Sequence, residues 1–152
     1  HAVTTGMPLA ARACMTDSLI GKRILLVDDD LDVLHFVRRA LEKSGAEVVV
    51  ASSTETALRN IAMTKPAIVV ADISMPGCDG YELVRRMRDQ ETEHTPAIAL
   101  TANVREADIM KAAEAGFDAH VAKPTRAFKL IRAIQDVISA PRDPSGRIPS
   151  YR

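Results

Sequence analysis

Tryptophan is absent from this 152-residue chain, while Phe and Tyr number only three and two. Any core must therefore be built from Val, Ile, Leu and Ala. Hydrophobic residues make up 47% of the chain, too many for disorder throughout. Neither sign of charge is in excess, since Lys plus Arg and Asp plus Glu each number 20. Net charge therefore points to neither nucleic acid nor an anionic membrane, and neither is expected to contact this domain directly. The two cysteines, Cys14 and Cys78, lack metal-like spacing, and no secretory leader precedes the domain. A cytoplasmic location follows as the expectation, with membrane anchoring left to other parts of a full-length protein. The longest nearly pure apolar stretch, Ala67 to Ala71, is far too short to cross a bilayer. Also missing are a phosphate-binding G-x-x-x-x-G-K-[ST] run, a G-x-G-x-x-G turn after the first strand, a G-x-S-x-G elbow and an H-E-x-x-H pair.

What is present is a repeated switch from a short β-branched or Leu run to a helical stripe. Length allows one domain with a real core. Residues 1–20 read as a leader, a linker or residues carried over from cloning, 21–140 as the domain, and 141–152 as a flexible tail rich in Pro and Arg. Arg23 to Val27 predicts the first strand, continuously apolar from Ile24 as in a parallel strand covered on both faces. A helix follows from about Leu31 to Lys43, with Val33, Leu34, Val37, Ala40 and Leu41 on its buried stripe, and Ser44-Gly45 ends it. Val48 to Ala51 predicts the second strand, and Ser53 or Thr54 caps a helix burying Ala57, Leu58, Ile61 and Ala62. Pro66 introduces a third strand, Ala67 to Ala71, before a helix with Leu83, Val84 and Met87 on one side that runs to about Arg88. Pro96 introduces the fourth strand, Ala97 to Leu100, and Asn103 with Glu106 forms a capping box for the next helix. Val121 and Ala122 belong to a short fifth strand. Thr125 caps a last helix with Phe128, Ile131, Ala133, Ile134, Val137 and Ile138 as its apolar positions. Five strand-then-helix repeats of this length predict right-handed parallel crossovers in a three-layer α/β/α fold.

Such sheets place ligands beyond the carboxyl ends of their strands, and polar groups fall there repeatedly. Asp28 and Asp29 follow the first strand, Asp72 the third, Thr101 the fourth and Lys123 the fifth. Helix capping accounts for one or two of the acids, with Asp30 as the candidate cap, but not for an adjacent pair at the mouth of a buried strand. Mg²⁺ prefers oxygen ligands and keeps several waters, so one or two direct carboxylates suffice. Asp29 and Asp72 are the candidates for direct ligation, Asp28 acts through bound water, and the Ser74 main-chain carbonyl completes the set. Asp72 reads either as a turn residue, beside Ser74, Pro76, Gly77 and Gly80, or as a carboxylate nucleophile. An ionised carboxylate needs no base to attack phosphorus but must be shielded from an anionic donor. Mg²⁺ and the Lys123 ammonium would provide that shielding. The Thr101 hydroxyl and the Ala102 amide can each donate to a phosphoryl oxygen, with Ala102 leaving room above the acceptor.

The chain resembles the receiver domains of two-component response regulators and hybrid histidine kinases. The resemblance spans about Gly21 to Ala140 and rests on ILLVDDD at Ile24 to Asp30, IVVADISMPGCDG at Ile68 to Gly80, LTA at Leu100 to Ala102 and VAKP at Val121 to Pro124. It implies a flavodoxin-like (βα)5 fold with strand order 2-1-3-4-5. It also implies that Asp72 takes a phosphoryl group from a phosphohistidine on a histidine kinase or histidine phosphotransfer domain, and catalyses its own dephosphorylation. Mg²⁺, or Mn²⁺ in its place, would be held by Asp28, Asp29 and Asp72, with Thr101 and Lys123 matching the family's hydroxyl and lysine. His120 stands where receivers often carry Tyr or Phe as a rotameric switch, and suggests an output coupled to pH near neutrality.

By the same resemblance, the face of the fourth helix, fifth strand and last helix is the usual output or dimerisation surface, which leaves a weak homodimer and an output domain in the full-length protein open. Leu31 and Phe36, off the buried stripe of the first helix, suit a docking contact for the phosphodonor. The receiver of a hybrid sensor histidine kinase is the leading expectation for the parent protein, with a stand-alone or truncated response regulator next. A binding module that is never phosphorylated would commonly lack one of the acids or the lysine, all of which are present. An Mg²⁺-dependent small-molecule phosphatase would want a general acid two residues after its nucleophile, where this chain has Ser74.

Overall fold

The computed structural model describes residues 19–73, 80–102, 105–123 and 126–141. Its strands are β1 (Arg23–Val27), β2 (Glu47–Ala51), β3 (Ile68–Asp72), β4 (Ala97–Thr101) and β5 (Ala119–Ala122). The helices are α1 (Leu31–Lys43), α2 (Thr54–Thr64), α3 (Gly80–Gln90), α4 (Glu106–Ala115) and α5 (Ala127–Ser139). All strand pairs are parallel, in the order β2-β1-β3-β4-β5. This is the order that the resemblance implied.

The apolar run of β1 explains why the sheet has two covered faces. Ile24 and Leu26 pack with Leu34, Val37 and Leu41 of α1 and with Leu130, Ile134 and Val137 of α5. Leu25 and Val27 point the other way, into a cluster with Leu83, Val84 and Met87 of α3, Ala112 and Ala115 of α4, and Phe117. Alternation along a strand sends successive side chains to opposite faces, so a strand buried on both sides must be apolar at every position. Truncating Leu26, which is fully buried, to Ala would cost roughly 2–5 kcal/mol.

Helix ends follow local chemistry where a short polar side chain is available. The Asp30 carboxylate caps α1 by accepting from the Asp32 and Val33 amides, and Gly45, at φ 94°, takes the left-handed turn beyond the Ser44 C-cap. Of the two candidates for the cap of α2, Ser53 fills the role, accepting from the Thr56 amide. The N-cap of α4 is Arg105, with no side-chain cap bond, so Glu106 is its first helical residue. Asn103 lies outside the described residues, as does Thr125, and Arg126 stands at the N-cap of α5, likewise without a side-chain cap bond.

Other departures are few. Phe128 was expected on the buried stripe of α5 but is 58% exposed, since the core face is already filled by Leu130, Ile131, Ile134 and Val137. Ala62 is also exposed, lining an open groove between the ends of α2 and α3. Strands β2 and β5 begin earlier than expected, at Glu47 and Ala119, because ladder pairing already starts there, with Arg23 and Ile98. β3 begins one residue later than expected, at Ile68, and α3 runs two residues beyond Arg88.

Candidate functional site

β3 and β4 also extend at their carboxyl ends, and this matters for the site. Asp72 and Thr101 are the last ladder residues of their strands, paired in register with Leu100 and Ala122. The Asp28 amide continues β1 by one further bond, donating to the Ala51 carbonyl. The Lys123 amide likewise donates to the Thr101 carbonyl at 2.7 Å. Each polar group is thus held by sheet hydrogen bonding rather than carried on a free loop.

These anchors bring together residues far apart in the chain. Asp28, Asp72 and Thr101 are all buried, whereas Asp29 is exposed. Asp28, Asp29 and Asp72 each offer a carboxylate oxygen within 4.8 Å of the others. The Lys123 ammonium reaches into the same cluster, 2.8 Å from Asp28 Oδ2 and 3.2 Å from Asp72 Oδ2. Asp28 Oδ1 also accepts from the Asp30 amide at 3.0 Å, so the acid that faces Lys123 is oriented by the same turn that starts α1.

Three carboxylates and one ammonium leave an excess of negative charge in a largely buried space. The donors are all hard oxygens, and this composition suits a divalent cation such as Mg²⁺. The lysine responds to that excess. Burial works against its charged form, but the hydrogen bond and Coulombic attraction from Asp28, joined by those from Asp72, outweigh it and hold the pKa of Lys123 above the ordinary 10.5.

Ala102 is exposed directly after Thr101. His120 is half-buried on β5, in register with Ala99 of β4. Ser74, expected to lend a carbonyl to the cation, lies outside the described residues. Gly80, the first residue of α3, passes so close to β3 that an added Cβ would stand 2.5 Å from the Asp72 carbonyl oxygen. In the sequence this need of Gly80 for close backbone approach has no periodic signal.

A parallel five-stranded sheet with an acidic cluster and a lysine at its carboxyl edge defines a class of α/β protein that handles charged ligands at its topological switch point. The response regulator receiver domain family matches residues 24–135, and the chain belongs to that family. It is 42% identical over 113 residues to an uncharacterized 14.6 kDa protein in the sodA1 3′ region of Leptolyngbya boryana, covering 74% of this chain and 86% of that one. It is 33% identical to Histidine kinase 3 of Arabidopsis thaliana over 82% of this chain, which spans only 14% of the kinase. Among solved structures, the chemotaxis response regulator CheY4 of Vibrio cholerae superimposes with a TM-score of 0.72 at 26% identity, over 76% of this chain and 98% of that one. Among the described residues no helix is long and apolar enough to cross a membrane.

Proposed function

We propose that the chain is a phosphoacceptor signalling domain in which Asp72 takes a phosphoryl group from a phosphohistidine on a partner protein. The observation that carries this reading is the convergence of the Lys123 ammonium with Asp28 and Asp72, beside Asp29, at one sheet edge. In the transfer, a lone pair of the Asp72 carboxylate forms the new O–P bond as the donor's N–P bond breaks, and that electron pair returns to the partner's imidazole. Asp28, Asp29 and Asp72, with the Ser74 carbonyl, would hold Mg²⁺ or Mn²⁺, which when bound neutralises phosphoryl charge.

Lys123 would follow the charge, exchanging its contact with Asp72 for one with a phosphoryl oxygen. The Thr101 hydroxyl and the Ala102 amide would donate to the others. Because Lys123 is bonded through its backbone to Thr101, a shift at either reaches β5 and His120. The partner would be a histidine kinase or phosphotransfer domain, docking on α1, where Leu31 and Phe36 are 71% and 64% exposed.

The domain would comprise residues 21–140 and work in the cytoplasm. The similarity to histidine kinases, one of them a hybrid signal transduction histidine kinase, supports a hybrid sensor histidine kinase as the parent protein, with a response regulator as the alternative. Incubation with Mg²⁺ and acetyl phosphate, followed by intact mass, tests the reading. One phosphoryl group gained by the chain and absent from Asp72→Asn is expected; no gain from several small phosphodonors would refute it.

A further inference from the structure

An open groove of about 880 Å³ runs between the end of α2 and the end of α3, at the amino ends of β3 and β4. Leu58, Ile61 and Ala62 line it from α2, and Met87 lines it from α3. Of the titratable side chains along it, Glu91 is held by Arg88 at 2.9 Å and His94 by Asp118 at 2.8 Å. The other two are of opposite sign and stand on opposite sides. Lys65, at the C-cap of α2, and Glu93, beyond the end of α3, are both exposed and make no ion pair among the described residues.

We propose that this groove is an interface between two copies of the chain, related by a two-fold axis beside the end of α2. Met63, next to Ala62 on that helix, is 75% exposed. One helix end therefore carries both an apolar knob and a wall of an apolar groove. A knob and a groove on the same element can be exchanged reciprocally, as two-fold closure requires, whereas a knob on a distant surface would build an open string of copies. Met63 of each copy would enter the other's groove against Leu58 and Met87, its unbranched thioether side chain suiting an irregular wall. Lys65 of each copy would then face Glu93 of the other.

The charges select this occupant. A partner surface of one sign would set a like charge against either Lys65 or Glu93, whereas a second copy turned through the two-fold offers one of each in the reversed order. The paired ends are the amino ends of β3 and β4, and Asp72 stands at the carboxyl end of β3. Both acidic clusters thus stay open in the pair, as does α1 with its exposed Leu31 and Phe36.

Sedimentation equilibrium of the intact chain tests this, with a mass that rises from monomer toward dimer as concentration increases. Met63→Asp should weaken association at least about tenfold, since it removes two buried anchors from each pair. Lys65→Glu and Glu93→Lys should each weaken it about fivefold on their own, by setting like charges together twice. An equal mixture of these two variants should associate as the parent does, because the mixed pair restores both contacts. All three side chains are exposed, so none of the changes disturbs the core. A mass that stays monomeric up to about 1 mM would overturn the proposal. So would association indifferent to Met63→Asp, which would place the contact on another face, or a mixture no better than either variant alone. Phosphoryl gain at Asp72 should be the same in Met63→Asp as in the parent, so this proposal and the functional one fail independently.

Discussion

The Asp28 carboxylate is nearer the Lys123 ammonium than the Asp72 carboxylate is, at 2.8 Å against 3.2 Å. The fully buried acid, not the proposed acceptor, is thus the lysine's main partner in this state. This pairing predicts a pH dependence of stability. The folded pKa of Lys123 is raised, so the contribution of its ion pairs is complete below the unfolded value of about 10.4 and is lost as pH rises through the folded value. Urea denaturation without Mg²⁺ should show Lys123→Met less stable than the parent by a constant margin from about pH 7 to 9, narrowing above about pH 10.4. A margin that grows in alkali would contradict the assignment.

Asp29→Asn separates cation binding from folding. Asp29 is exposed, so its loss should change stability by less than about 0.5 kcal/mol. Removing a unit charge about 4 Å from a cation costs at least about 1 kcal/mol even at the dielectric of water. Mg²⁺ affinity, followed by calorimetry, should therefore fall at least about fivefold.

Gly80→Ala sets two effects against each other. Alanine favours a helix over glycine by about 1 kcal/mol, but its Cβ would meet the Asp72 carbonyl oxygen at 2.5 Å, and backbone cannot swing aside. Overpacking of this kind costs about 1–3 kcal/mol, and at the first position of a helix the propensity gain is smallest. Net destabilisation is expected in thermal melts, with slower phosphoryl uptake as Asp72 is displaced.

A second polar centre holds the opposite edge of the sheet. Asp118 accepts from the Ala97 amide at 2.8 Å, from Arg88 at 3.1 Å and meets His94 Nε2 at 2.8 Å, while Arg88 also reaches the Gly116 carbonyl at 2.8 Å. The side chains of Arg88, His94 and Asp118 are 12%, 5% and 6% exposed. Asp118→Ala would take the carboxylate partner from the Ala97 amide while Arg88 keeps Glu91 and the Gly116 carbonyl, at a cost of about 1–3 kcal/mol in denaturant unfolding. Phosphoryl uptake by the fraction still folded should be unchanged.

The fold was legible because its strands are buried on both faces. Ile24 to Val27, Ile68 to Ala71 and Ala97 to Leu100 admit only apolar side chains, so each strand announces itself as a run, and each run ends where a polar residue begins. Asp28, Asp72 and Thr101 stood out for that reason. Helix stripes were less reliable at their ends. Phe128 and Ala62 keep the helical period yet face solvent, because period reports which residues share a face and not whether another element covers it.

Which residues end the strands can be read along the chain, since the polar boundary of a buried run is a local property. Tertiary structure alone decided their relations. Lys123 meets Asp28 across 95 positions, and Arg88 meets Asp118 across 30. Nothing in the local pattern at Arg88, an ordinary charge near the end of a helix, distinguishes it from Arg85 or Arg86. Only the packing of α3 against the turn that precedes β5 removes it from water and makes a buried carboxylate its partner.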